Sequence, residues 1–234
     1  MKKAKWIVSF LPLLITTFAV QFMPDTVPTH YDASGNIDGR GSKYLYFLMP
    51  VIILLTNLML MAVSRLQLKK AAASGDEKKT AEAVKNAKVF DIAELCTAAG
   101  LCLLQCFLLY MAWNASKAGA DKFSGDSSTI TVIINSLMFI VLGNVLPKTK
   151  LNGAIGLRVS YSMYNDNTWR RSNRFGGYAL MLAGVLSIIT TAFVRKWGAV
   201  FFMLGYLTIA VIIMIVYAKK VYEEEITRSD EQTQ

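Results

Sequence analysis

Charge is sorted along this chain in a way that a soluble fold does not produce. Six stretches contain no Asp, Glu, Lys or Arg: Trp6–Met23, Tyr44–Val63, Leu95–Trp113, Ile130–Leu146, Tyr178–Val194 and Ala199–Ala218. Each is 17–20 residues long, and all 25 Lys and Arg and all 16 Asp and Glu fall between them. A helix needs about 20 mostly apolar residues to cross the hydrocarbon of a bilayer, within a range of about 17–25. Inside lipid the backbone must satisfy its own hydrogen bonds, which favours helices. The pattern predicts an all-α, polytopic integral membrane protein with about six transmembrane helices, a multi-pass protein of the cell membrane.

The basic residues set the orientation. Cytoplasmic loops carry the excess of Lys and Arg. The N-terminal tail (Lys2, Lys3, Lys5), the segments between spans 2 and 3 and between spans 4 and 5, and the C-terminal tail hold 19 of them, and the three other loops hold 6. Both termini are therefore expected in the cytoplasm, with the first span an uncleaved signal anchor. The net charge of +9 reads as an orientation signal, and no direct nucleic-acid partner is inferred from it.

Three regions are expected: 1–70, two spans around an outer Pro/His loop; 71–129, a long cytoplasmic helix running into the third span, plus an outer loop; and 130–234, three spans around a basic inner loop. Ser74-Gly75-Asp76-Glu77 breaks the helix after span 2, and Ser74 with Glu77 fits a capping box for the next one. The helix from Asp76 to Trp113 has a polar first third, which is either a solvated extension or a docking surface. Asn57, Gln105 and Asn135 lie inside spans and need partners on other helices. No charged residue is expected deep in a span; Glu94 comes nearest, one turn after Asp91. That argues against an ion-coupled pump. Cys96, Cys102 and Cys106 all lie in span 3, so no disulfide is expected.

Two constellations stand out. The outer loop holds Pro24, Pro28, His30, Gly35, Asp38 and Lys43. His30 is the only histidine; it either hydrogen-bonds Asp38 to shape the loop or joins Asp25, Asp32 and Asp38 around a cation. The inner segment opens with Asn144, Pro147 and Lys148 and continues through Asn152, Gly156, Arg158, Trp169 and Arg174. Pro147 ends span 4. Asn165-Asp166-Asn167-Thr168 offers N-caps for a helix starting near Trp169. Arg158 is a planar donor for a carboxylate or phosphate. The segment reads as a lipid-facing surface or as a folded site for an anionic or peptide ligand.

At these residues the chain resembles the SdpI-type immunity proteins, bacterial membrane proteins that protect a cell from its own secreted peptide toxin. Pro24, Val27, Pro28, His30, Gly35, Asp38 and Lys43 match the family's N-terminal pattern. Gly143, Asn144, Pro147, Lys148, Asn152, Ile155, Gly156, Arg158, Trp169, Arg174 and Gly177 match its C-terminal one. Two departures occur: Val159–Met163 replaces Thr-Pro-Trp-Thr-Leu, and Asn173 stands where the family commonly has His. The resemblance implies protection against a membrane-active peptide toxin. It also implies, for some members, a transcription repressor held at the membrane. Besides these partners the bilayer itself is one. A small-molecule or lipid transporter is the alternative. No catalytic set, metal-ligand spacing or phosphate loop is found, so neither an enzyme, a metal nor a cofactor is expected.

Overall fold

The computed structural model describes residues 2–32, 36–118 and 125–231. Their helices are α1 (Lys2–Ala19), α2 (Leu48–Ala73), α3 (Glu77–Ala118), α4 (Ser127–Val145), α5 (Asp166–Thr190) and α6 (Trp197–Glu231). Between α1 and α2 the outer loop forms an antiparallel hairpin of β1 (Thr26–Tyr31) and β2 (Ile37–Ser42). The expected all-helical membrane architecture is present, with this hairpin as an extramembrane addition. Lipid forbids open strand edges in the hydrocarbon, but a loop in water can carry them.

Five segments are long and apolar enough to cross a membrane: Ala4–Phe22, Lys43–Ala73, Glu77–Lys117, Ser127–Lys148 and Trp197–Glu231. Helix α5, the expected fifth span, is not among them. Its first third carries Asp166, Arg170, Arg171 and Arg174, and its apolar part is thinned by Gly176, Gly177, Gly184 and Ser187. Yet α5 follows the length of α4. The Lys196 N–H, just beyond α5, donates to Asp126 at the outer start of α4, while the inner segment joins the other ends. Helix α5 packs between α4 and α6 through its small residues, while Tyr178, Leu182, Val185 and Ile189 form the exposed apolar face left for lipid.

Small residues allow that packing. A Cβ on Gly143 would lie 2.7 Å from the Gly177 carbonyl oxygen, and one on Gly184 would lie 2.7 Å from that of Ser136. Close backbone approach at small residues is how helices associate where lipid removes the hydrophobic drive. In the N-terminal half α1 packs on α2 and α3, and α3 also contacts α4, joining the halves.

The buried stripe of α1 is largely polar, Lys5, Ser9, Pro12 and Thr16, and continues to Val20 in the turn that follows. Asn57 Nδ2 on α2 donates to Ser9 Oγ at 2.6 Å. Gln105 Nε2 on α3 donates to Thr16 Oγ1 at 2.8 Å and to the Tyr46 carbonyl at 3.0 Å. These two amides behave as expected. Asn135 does not: its Nδ2 donates to the Thr131 carbonyl of its own helix, which satisfies the amide without a neighbour.

The turn between α2 and α3 lies where expected but is capped differently. Ser74 Oγ bonds back to the Ala71 carbonyl, closing α2. Gly75 takes a φ of +67°, and Asp76 Oδ1 accepts the Lys79 N–H. Asp76, not Ser74, therefore caps α3. The left-handed glycine leaves Ser74 bridging the turn, its Oγ also accepting the Asp76 N–H at 3.3 Å. Helix α3 is 42 residues long, about 63 Å at 1.5 Å per residue, so its first turns stand clear of the bilayer.

Candidate functional sites on the two membrane faces

The hairpin is anchored on the outer face by its proline segment. Val27 is buried with Met23, Leu109 and Ala112, and Pro28 beside it is buried as well. Tyr46 Oη donates to the Pro28 carbonyl at 2.7 Å. Lys43 closes the base: its Nζ lies 3.1 Å from both the Met23 carbonyl and Asp25 Oδ1, and its N–H bonds the Asp25 carbonyl. Pro24 is exposed at the end of span 1. His30 Nδ1 lies 2.5 Å from Asp38 Oδ1 across the strands. Gly39 faces His30 in the register, and a Cβ there would come within 2.9 Å of His30 Cβ.

Asp25 and Asp32 do not join Asp38 at His30. Asp25 pairs with Lys43, and both Asp32 carboxylate oxygens accept from Asn36. No group of three metal-ligating side chains forms among the described residues. Gly35 lies outside the described residues. Beside the hairpin a cavity of about 520 Å³ opens between β1, α2, α3 and α4, with His30 near its rim and Gln105 among its lining residues.

On the inner face, residues 147–173 fold around Trp169. Its ring is 1% exposed, and Nε1 donates to the Thr149 carbonyl at 3.1 Å. Gly156 has a φ of +119°, and a Cβ there would lie 2.7 Å from the Trp169 ring and 2.8 Å from Asn173 Oδ1. Only glycine fits both the conformation and the space. Asn152 Oδ1 accepts the Ala154 and Ile155 N–H groups, and its Nδ2 donates to the Lys150 and Ile155 carbonyls. Asn173 Oδ1 accepts the Leu157 N–H at 2.6 Å, and its Nδ2 donates to the Trp169 carbonyl.

Asn165 caps α5 by a reciprocal capping box with Thr168, close to the expected start. Asn165 and Asn167 also donate to Glu225 on α6, at 3.1 and 2.6 Å. These two bonds, with Arg228 and Arg171 nearby, hold the Glu225 carboxyl below the usual carboxylate range. Arg171 pairs with Glu224 at 2.7 Å.

The inner motif thus divides in two. Pro147, Asn152, Gly156 and Trp169 build the segment's shape. Asn144, Lys148, Arg158 and Arg174 are exposed, and the Arg174 guanidinium stands 6.0 Å over Tyr178. These four take no part in the buried hydrogen-bond framework of the segment described above.

The α2–α3 hairpin is held against this segment rather than left free. Asn86 grips Lys150 at two points, Oδ1 to its N–H at 2.8 Å and Nδ2 to its carbonyl at 3.2 Å. Gln67 reaches Asn152 at 3.4 Å, and Lys78 pairs with Asp166 at 2.7 Å. Residues 148–218, the segment with α5 and most of α6, match the SdpI/YfhL protein family. The chain carries an SdpI/YfhL-family region. Residues 7–54, which include the Pro/His motif up to the start of α2, match a domain of unknown function, DUF1648. No curated protein and no solved structure matches the chain. The SdpI/YfhL match begins one residue after Pro147, near the head of the folded inner segment.

One polar cluster escaped the sequence. Lys5 Nζ sits 2.6 Å from Glu94 Oε2 and 2.6 Å from Asp91 Oδ1. Glu94 is 1% exposed and Lys5 9%. Glu94 lies at the inner end of the third span, as expected, but its burial against Lys5 was not anticipated. Three charges meet where α1 and α3 enter the membrane, and pairing permits the burial that isolated charges would not. The signal present was the Asp91/Glu94 spacing of three on one helix face; the partner, 89 positions away, left no local trace.

Proposed function

We propose that this chain is a non-enzymatic immunity protein of the cell membrane that protects against a membrane-active peptide toxin. The supporting observation is the SdpI/YfhL match beginning at Lys148, on a segment whose side chains are spent on shape and interhelix contacts. Asn152, Trp169 and Asn173 use their polar groups on backbone, which suits a binding scaffold better than a reacting centre. The exposed cations Lys148, Arg158, Arg170 and Arg174 form the inner docking face for anionic headgroups or for a cytoplasmic repressor. Deleting the gene sensitises cells to a membrane-active peptide, and re-expression restores resistance. Unchanged sensitivity across a panel of such peptides would remove this reading.

The Lys5–Asp91–Glu94 cluster favours a second reading, transport of a small molecule. Buried ionisable groups among spans mark ion and substrate paths, and Glu94 Oε1 is buried without a hydrogen-bond partner. Substrate flux in proteoliposomes that falls with Glu94→Gln supports transport; the absence of flux for any offered substrate sinks it.

A further inference from the structure

The seam between the two halves of the bundle leaves a groove of about 280 Å³ open on the membrane side. Helices α3 and α4 meet there. Ile92, Leu95, Ala99 and Leu103 of α3 line it with Leu137 and Val141 of α4, and the lining is almost wholly apolar. Leu103, Leu137 and Val141 are exposed, so the groove opens sideways to lipid. Its reach matches one leaflet. Leu103 stands eleven residues after Ile92, a rise of about 16 Å at 1.5 Å per residue. Half of the hydrocarbon core of a bilayer is about 15 Å. The groove runs from the middle of the third span to its basic, inner end.

Cations stand at that end. Lys88 precedes Ile92 by four residues and Lys85 precedes it by seven, so both continue the groove-lining face of α3. Both are exposed. Among the described residues no carboxylate pairs with either. The neighbouring Asp91 and Glu94 lie on another face, held by Lys5. On α4, Asn144 follows Val141 by three residues and Leu137 by seven, and it too is exposed. An apolar furrow one leaflet deep, ending in two unpaired cations and an amide at headgroup level, has the polarity of one phospholipid with a negative headgroup. Basic residues at this depth draw anionic lipid. The same cations disfavour a second copy of the chain. Two copies in one membrane related by a two-fold axis along its normal make a self-complementary contact. Groove against groove, that contact would set Lys85 and Lys88 against their own copies.

We propose that the groove holds one anionic phospholipid of the inner leaflet, with an acyl chain along Ile92–Leu103 and the phosphate met by Lys88, Lys85 and the Asn144 amide. The lipid bridges the two halves on their membrane side, since α3 belongs to the N-terminal half and α4 opens the C-terminal one. Asn144, which stands outside the buried framework of the inner segment, gains a role in headgroup contact. The assignment goes beyond the immunity reading and does not depend on it.

The test uses full-length protein in a neutral detergent, titrated with phosphatidylglycerol that carries a photoreactive diazirine in one acyl chain. Saturable labelling is expected within 92–103 and 134–141. Unlabelled phosphatidylglycerol is expected to compete about tenfold better than phosphatidylcholine of the same chains, equivalent to about 1.4 kcal/mol. Lys85→Gln with Lys88→Gln is expected to erase that preference. Lys219→Gln with Lys220→Gln, an equal loss of charge on α6, is expected to keep it. Ala99→Phe, which narrows the groove, is expected to weaken labelling of both segments while circular dichroism stays that of the parent. Equal competition by the two lipids, a preference that survives in the α3 pair or is lost in the α6 pair, or unchanged labelling in Ala99→Phe overturns the assignment. Labelling spread evenly over α6 and the groove, or displacement by inorganic phosphate alone, overturns it as well. So does a dimer crosslinked through 92–103, which would make the groove an interface between copies.

Discussion

Lys5 Nζ on α1 lies 2.6 Å from Glu94 Oε2 on α3, with Glu94 all but removed from solvent. A lysine that looks like one of the positive charges orienting the first span is also its tie to the third. Removing one partner of a buried pair strands the other, at a cost of about 3–5 kcal/mol. Lys5→Ala should therefore lower the thermal midpoint of the detergent-solubilised protein far more than Lys69→Ala, an exposed cation. The double change Lys5→Met with Glu94→Leu should recover much of the loss, because the fully buried Glu94 charge is then gone and only Asp91, whose side chain is 25% exposed, loses a partner. Equal midpoints for Lys5→Ala and Lys69→Ala would show that the pair holds nothing.

Gly156 and Gly153 make a matched control on the inner face. Gly156 needs a φ of +119° and has the Trp169 ring where a Cβ would stand, while nothing lies within 4 Å of a Cβ on Gly153. Gly156→Ala should destabilise by about 1–3 kcal/mol and make Trp169 accessible to an aqueous fluorescence quencher. Gly153→Ala should stay within about 0.5 kcal/mol of the parent, as surface changes do. A quenching profile for Gly156→Ala identical to the parent's would refute the tight contact.

The grip of Asn86 on Lys150 predicts a change in protection rather than in bulk stability. Both amide atoms of Asn86 are used on one backbone unit, and Leu cannot replace either bond. Asn86→Leu should leave the helices intact by circular dichroism yet speed limited trypsin cleavage at Arg158, Arg170 or Arg171. Cleavage at the parent's rate would mean that Gln67 and Lys78 hold the segment without Asn86.

Asp126 gives a pH dependence with a defined sign. Burial alone would raise its carboxyl, but the hydroxyl and N–H of Thr129, the Lys196 N–H and the Arg195 charge together hold it below the usual carboxylate range. A carboxyl lower in the folded than in the unfolded state stabilises fully above its unfolded value, near 4. That stability is lost as pH falls through the folded value. The parent should lose an increment of about 1 kcal/mol, typical of an N-cap, on acidification below pH of about 4. Asp126→Asn should lack that acid-dependent step. Parallel stability–pH curves for the two proteins would contradict the assignment.

What could be read from the sequence was what repeats or lies close along the chain. The charge-free stretches located the spans because lipid excludes charge wherever a helix crosses. Helix α5 blurred the rule: flanked by α4 and α6, it trades hydropathy for glycine and serine. The His30–Asp38 pair and the Asn165 cap were legible as local geometry. Lys5–Glu94, Asn86–Lys150 and the cavity at Gln105 were not, because each joins residues more than 50 positions apart or depends on how several helices meet. Ser74 misled for the opposite reason, since its motif was present but its hydroxyl stops at the Asp76 N–H and Asp76 caps the helix in its place.

Asn173 carries the last prediction, because the resembling family commonly has His there. Its Oδ1 takes the Leu157 N–H and its Nδ2 serves the Trp169 carbonyl, so the position requires one acceptor and one donor. A neutral imidazole has one of each, while a protonated one has two donors and no acceptor. Asn173→His should therefore fold at neutral pH, with a modest loss for the larger ring beside Gly156. It should lose further stability as pH falls through about 6.5, the ordinary histidine value, because the Leu157 N–H would then face a donor. Asn173→Leu should be destabilised at every pH. The comparison needs only thermal midpoints for the three proteins across mildly acidic to neutral pH. A histidine variant whose midpoint does not depend on pH in that range would show that the side chain at 173 is not held by the acceptor–donor pair seen for Asn173.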